Sequence, residues 1–151
     1  MNPFYKTIIG KPEKWLVDAA AVVGLDYSEL SHEITNHFIN HVINRHGDPK
    51  KHGSSTITYA DFELLSAIVK KPNMAIIGAK RWELFYNIYI KIENEMTWFY
   101  FDHVLDSKRN RTLRSDTLYK VTRQLTLDEV IKNITRNDKT DISKANILTI
   151  P

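Results

Sequence analysis

The chain has 151 residues, 42% apolar and 26% charged, with a formal charge of +3, a balance that excludes disordered, fibrous and membrane-spanning classes. It contains no cysteine, which excludes thiol nucleophiles, thiolate metal ligands and disulfides together and favours a reducing compartment. No stretch approaches the roughly 20 apolar residues of a transmembrane helix, and the N-terminus "MNPFYKTIIGKPEKWL" reads as part of the fold, not a leader.

Taken in chain order, Pro12 stands where a helix can begin, and Trp15, Leu16, Ala19, Val22 and Val23 recur at helical spacing until Gly24. Asp26 and Glu29 have capping-box spacing ahead of "DYSELSHEITNHFINHVINRH", and Gly47 with Pro49 supplies a stop. The expectation is a second helix over 28–46, with a break possible near Ser31. "DPKKHGSST" reads as a loop. Thr58 and Asp61 form another capping pattern before a third helix, in which Phe62, Leu65 and Val69 repeat until Pro72.

From Asn73 the period changes from 3.6 to 2. "AIIG", "ELFYNIYIKI", "TWFYFDHVL" and "TLRSDTLYKVT" read as strands, joined by the turns "ENEM" and "DSKRNR". "TLDEVIKNI", with Thr126 and Glu129 as its cap, is a small last helix, and "TRNDKTDISKANILTIP" a loosely attached tail. The sum is one α+β domain over 1–151, its N-terminal helices packed on one face of a three- to four-stranded antiparallel sheet and the other face available. Within it, 1–27 is a helical extension, 28–123 the core and 124–151 a short helix and tail.

Five of the six histidines lie between His32 and His52. On the second helix Ile34, Phe38, Ile39, Val42 and Ile43 form the buried stripe, and His37, His41 and Arg45, spaced by four, run along its border. His46 comes just before the stop, where it can turn back toward the sheet. A border histidine ordinarily hydrogen-bonds a neighbour and does nothing more. The second charged feature is the run Lys108, Arg109, Arg111, Arg114, Lys120 and Arg123 against Asp116 alone, suited either to a polyanion or to a solvated hairpin.

Several chemistries can be set against these residues. His37 and His41 could share a zinc ion, but Phe38 stands where a metalloprotease needs glutamate and no third ligand suggests itself beyond His32, His46 or a distant carboxylate; no metal site is expected. There is no G-x-S-x-G, and the glycines are too scattered for a phosphate loop. Metal-free RNA cleavage needs only a base for the ribose 2′-hydroxyl, a cation for the phosphate and an acid for the leaving oxygen, all within reach of histidine and arginine. No cofactor is required. Exposed aromatic side chains would supply stacking surfaces for unpaired bases.

The succession "HFINHVINRHG", a polar loop, "ITYADFELLSAIVKKP", strands around "ELFYNIYIKI" and "WFYFDHVL", then "SDTLYK" resembles the phage-associated branch of the barnase, EndoU, colicin and RelE-like nucleases over about 30–123. The resemblance implies a metal-independent endoribonuclease of the toxin type, acting on RNA in the cytoplasm of a bacterial host, with a cognate inhibitor protein as a candidate partner and no membrane role. It implies His41 or His46 as base or acid, Arg45 and Lys120 as phosphate clamps, and Thr117 with Tyr119 as polar partners of the phosphate. Thr117 and Tyr119 share one strand face and Lys120 alternates to the other, so a bulge or strand end is needed to unite them. His37, Lys108, Arg109, Arg111, Arg114 and Arg123 would extend the nucleic-acid surface. The alternatives are an inactive RNA- or protein-binding descendant, and a phage structural or host-takeover protein.

Overall fold

A computed structural model describes residues 3–137 and 140–151. The strands Lys6–Gly10 (β1), His32–Thr35 (β2), Met74–Arg81 (β3), Leu84–Glu93 (β4), Met96–Asp106 (β5), Arg111–Val121 (β6) and Asn146–Thr149 (β7) form one sheet in the order β1-β2-β6-β5-β4-β3-β7. The helices are Lys14–Val22 (α1), Asn36–His46 (α2), Pro49–His52 (α3), Tyr59–Phe62 (α4), Leu65–Lys70 (α5) and Leu127–Asn137 (α6). The α+β class matches the sequence expectation, while the sheet is wider than expected and mixed, because β2 runs parallel to β6.

The meander β3 to β6 is where the two-residue period placed it. Three further strands extend it. β1 and β7 are short edge strands, β1 exposed except at Ile9 and β7 alternating between half-buried and exposed positions, a pattern that marks a strand weakly. Consequently the expected tail is not loose: Asn146–Thr149 pairs antiparallel with Met74–Ile77.

The second helix is also corrected. Residues 32–35 are extended, and α2 begins only after Thr35, whose hydroxyl accepts from the Phe38 amide at 3.0 Å. Asp26 caps no helix; its carboxylate accepts from the amide and hydroxyl of Ser28 in a local turn. The reason is tertiary. β6 offers an open edge that the backbone of His32 and Glu33 fills, reinforced by the Thr112 hydroxyl and Leu113 amide donating to Ser31 O and by Arg114 donating to Glu33 at 2.9 Å. The third helix divides into α4 and α5, with the Thr58/Asp61 capping box present. The polar loop after Gly47 is itself one helical turn followed by the 3₁₀ turn Gly53–Ser55.

Alternation along the strands gives two cores. Ala75, Ile77, Tyr89, Trp98, Tyr100, Leu113 and Leu118 pack with α1, α2 and α5 on one face. Ile76, Ile88, Ile90, Phe99 and Phe101 pack with Val130 and Ile134 of α6 on the other. Helices therefore cover both faces, and the second face is only partly available, contrary to the one-sided packing expected. No helix among the described residues is long and apolar enough to cross a membrane.

Candidate active site

β2 pairs with β6 only at Leu113 and Arg114, and then the chain turns into α2, which packs against β6. Beyond that point β6 pairs as a strand with β5 alone among the described residues, and α2 lies along its other side. A cleft of about 420 Å³ opens there, within the range of small-ligand sites. Its first wall carries His41, Arg45 and His46 from α2, and its floor Asp116, Thr117 and Tyr119 from β6. Five of the six residues expected to form the site thus share one cleft. Lys120 does not.

A β-bulge decides which of these residues reach the cleft. Thr117 pairs with Phe101 and Ser115 with Asp102, so Asp116 is an extra residue in β6. Before the bulge, odd-numbered residues such as Leu113 face the first core; after it, even-numbered Leu118 does. Thr117 and Tyr119 are thereby turned to the cleft side and Lys120 to the first core, where its Nζ donates to both carboxylate oxygens of Asp61 at 3.1 and 3.2 Å. Because the bulge precedes all three residues it does not unite them: regular alternation from Thr117 onward keeps Lys120 on the opposite face, and the bulge recruits Asp116 to the cleft.

The end of α2 is held firmly. A helix C-terminus leaves its last carbonyls unsatisfied, and here the following loop folds back to meet them. The His52 ring donates to Arg45 O at 2.8 Å, the Ile57 amide to His46 O at 2.7 Å and the Gly47 amide to Ile43 O at 2.9 Å. A Cβ built on Gly47 would lie 2.5 Å from Ile43 O, so glycine is required for this close approach. The His46 ring stands 5.6 Å from that of His52 and 6.0 Å from that of Tyr119. Burial holds the His46 imidazole below its ordinary pKa, helped by the nearby charges of His52, His41 and Arg45. It is therefore a neutral ring near pH 7, an acceptor for a proton.

Tyr119 is fixed from α6, its hydroxyl donating to Asn133 Oδ1 at 2.6 Å, and its ring stacks on Phe99 at 4.7 Å. The far wall comes from the β3–β4 turn, which contributes Arg81 and Trp82. Beside the floor, His103 Nδ1 lies 3.7 Å from Asp116 Oδ1, and its ring 5.4 Å from that of Tyr86. Burial lowers the His103 pKa against the opposing pull of Asp116 and Asp102. Arg81, Trp82, Asp116 and His103 were not singled out from the sequence. A tryptophan inside a two-residue hairpin turn was the one available signal.

The outlying residues are placed differently. His37 is exposed on α2 and meets the Phe4 ring edge-on at 5.3 Å, outside the cleft. Arg114 bonds Glu33 and lies over Phe4, Arg111 pairs with Asp106, and Arg123 bonds Glu129. Lys108 and Arg109 are exposed at the β5–β6 turn. The basic run is therefore neutralised locally along much of its length, so its linear charge overstates its pull on a polyanion. Among the described residues no three His, Asp or Glu side chains stand close enough together to hold a metal ion.

No curated protein and no solved structure matches this chain. The family described as phage-Barnase-EndoU-ColicinE5/D-RelE like nuclease3 matches residues 10–128, which take in β2 to β6, the whole cleft and the start of α6. The chain belongs to this family of phage barnase, EndoU, colicin and RelE-like nucleases.

Proposed function

We propose that this nuclease is a metal-independent endoribonuclease that cleaves by attack of the ribose 2′-hydroxyl, with histidines as acid and base and no cofactor. The observation that supports the reading most is the shared cleft: two imidazoles and a guanidinium from one helix face three polar side chains of β6, Asp116, Thr117 and Tyr119, across a space open to water. The neutral His46 accepts the 2′-hydroxyl proton as O2′ attacks the adjacent phosphorus. His41 gives its proton to the departing O5′ as the P–O5′ bond breaks. The products are a 2′,3′-cyclic phosphate and a 5′-hydroxyl.

Arg45, with Arg81 on the opposite wall, meets the charge that grows on the phosphoryl oxygens. Thr117 offers its hydroxyl from the floor to hold the phosphate in line, and Tyr119 joins it when RNA binds by turning its one hydroxyl proton from Asn133 Oδ1 to the phosphate. Lys120 has no part in this chemistry, because it is committed to Asp61. RNA in a bacterial cytoplasm is the substrate in this reading, and Lys108 and Arg109 are outlying phosphate contacts. A cognate inhibitor protein would act by covering the cleft.

The test is incubation of purified protein with total RNA in excess chelator and analysis of the product ends. Cyclic 2′,3′-phosphate termini that disappear in His41→Ala and Arg45→Ala support the proposal. Full activity in both variants, or no cleavage by the wild type, contradicts it.

A further inference from the structure

Two hairpin turns of the sheet have the same backbone. In each, two residues connect paired strand ends, Arg81↔Leu84 and Glu93↔Met96, and both central residues have positive φ: Trp82 (50°) with Glu83 (67°), and Asn94 (51°) with Glu95 (62°). Such turns favour asparagine, aspartate or glycine at their centre. The second turn obeys with Asn94. The first puts in the same strained position a tryptophan, among the least suitable residues for positive φ.

Nor does Trp82 recover this cost by burial, since it is 68% exposed. A tryptophan present only to shield Arg81 would be covered in turn. Instead, Arg81 is packed beneath it: the guanidinium carbon lies 3.8 Å from the centre of the Trp82 ring and 5.9 Å from that of Tyr86. This cation–π stack fixes the indole plane and leaves the opposite ring face to solvent at the rim of the cleft. The other two tryptophans are placed elsewhere, Trp98 buried and bonded to Asp61, and Trp15 donating to Lys70 O.

We infer that Trp82 is the base-binding platform of the nuclease: an unpaired nucleobase of single-stranded RNA, next to the phosphate held in the cleft, stacks on the indole face turned away from Arg81. The inference rests on the endoribonuclease reading and adds the substrate class to it, an RNA with an unstacked base. A π-face accepts any base, so this subsite sets single-strandedness more than sequence.

The test uses full-length protein and a 2′-O-methyl RNA decamer, which cannot be cut by 2′-hydroxyl attack. Titration quenches tryptophan emission in the wild type. Trp82→Asn, which installs the residue the other turn uses, abolishes the quenching and weakens binding by about 5- to 150-fold, the range of one lost stacking contact. Its thermal midpoint stays level or rises, which a structural role for Trp82 would not allow. Equal affinities in the two proteins overturn the base-binding assignment and leave the endoribonuclease reading standing; no binding by either protein overturns both.

Discussion

Lys120 Nζ lies 3.1 Å from Oδ2 of Asp61, and both side chains are nearly sealed, at 10% and 7% exposure. Asp61 also accepts from the Thr58 amide at 2.8 Å and the Trp98 indole at 3.1 Å. The pair therefore ties α4 to the centre of the sheet. Burial alone would raise the Asp61 pKa, but the bonds from Thr58, Trp98 and Lys120 outweigh it and hold the carboxyl below its usual range.

Lys120→Met should accordingly lower stability by about 1–3 kcal/mol, as one donor of a buried carboxylate is lost, and leave the rate of RNA cleavage unchanged. Denaturant unfolding and a cleavage assay on the same preparation check both parts. The sign with pH follows from the lowered carboxyl pKa: the folded state holds the charged form more strongly, so the contribution is present above the ordinary aspartate value and fades as pH falls through the folded one. Asp61→Asn should flatten that acid limb.

How much of this could be read in the chain depends on whether the determining contact is local. The stripe of His41 and Arg45 and the stop at Gly47 are set within one helix, and both stand where spacing put them. The fate of Lys120 is not local. It depends on the bulge at Asp116, which exists only as a register between β5 and β6, and on Asp61, far back in the chain. β2 was hidden for the same reason, since its partner is an edge of β6 that later residues create. The charged run looked open because Glu33, Asp61, Asp106 and Glu129 are brought to it only by folding.

The pH profile of cleavage should report His46. Its pKa lies below the ordinary histidine value, mainly through burial, so kcat/KM should rise with pH along a limb below about 6.5. His52→Gln removes a charge that pushes in the same direction and should move that limb upward. Stability carries the matching sign: the folded state takes up this proton less readily than the unfolded chain, so the protein weakens as pH falls below the unfolded value. A limb above pH 7 would remove His46 as the base.

Tyr119 links α6 to the cleft floor through Asn133. Tyr119→Phe should lose about 10²-fold in kcat, as when one donor to a developing charge is deleted, with a stability change of only about 1 kcal/mol. Asn133→Ala leaves the hydroxyl but releases its anchor, and should have a smaller effect on kcat than Tyr119→Phe. Single-turnover kinetics of the two variants separate these outcomes.

Gly47 is required by contact, not by backbone sign, since its φ is −97° and the obstacle is Ile43 O. Gly47→Ala must displace the end of α2, at a cost of about 1–3 kcal/mol. Because His46 precedes it, cleavage should fall further than the lost folded fraction accounts for. Thermal unfolding and kcat measured well below the midpoint decide this.

The participation of the ribose 2′-hydroxyl is tested most directly by a single substitution in the substrate. An oligonucleotide with one ribonucleotide in an otherwise deoxy strand should be cut only on the 3′ side of that residue, in excess chelator, leaving a 2′,3′-cyclic phosphate; the all-deoxy strand should remain intact. Cleavage of the all-deoxy strand at a comparable rate would contradict the account at its centre.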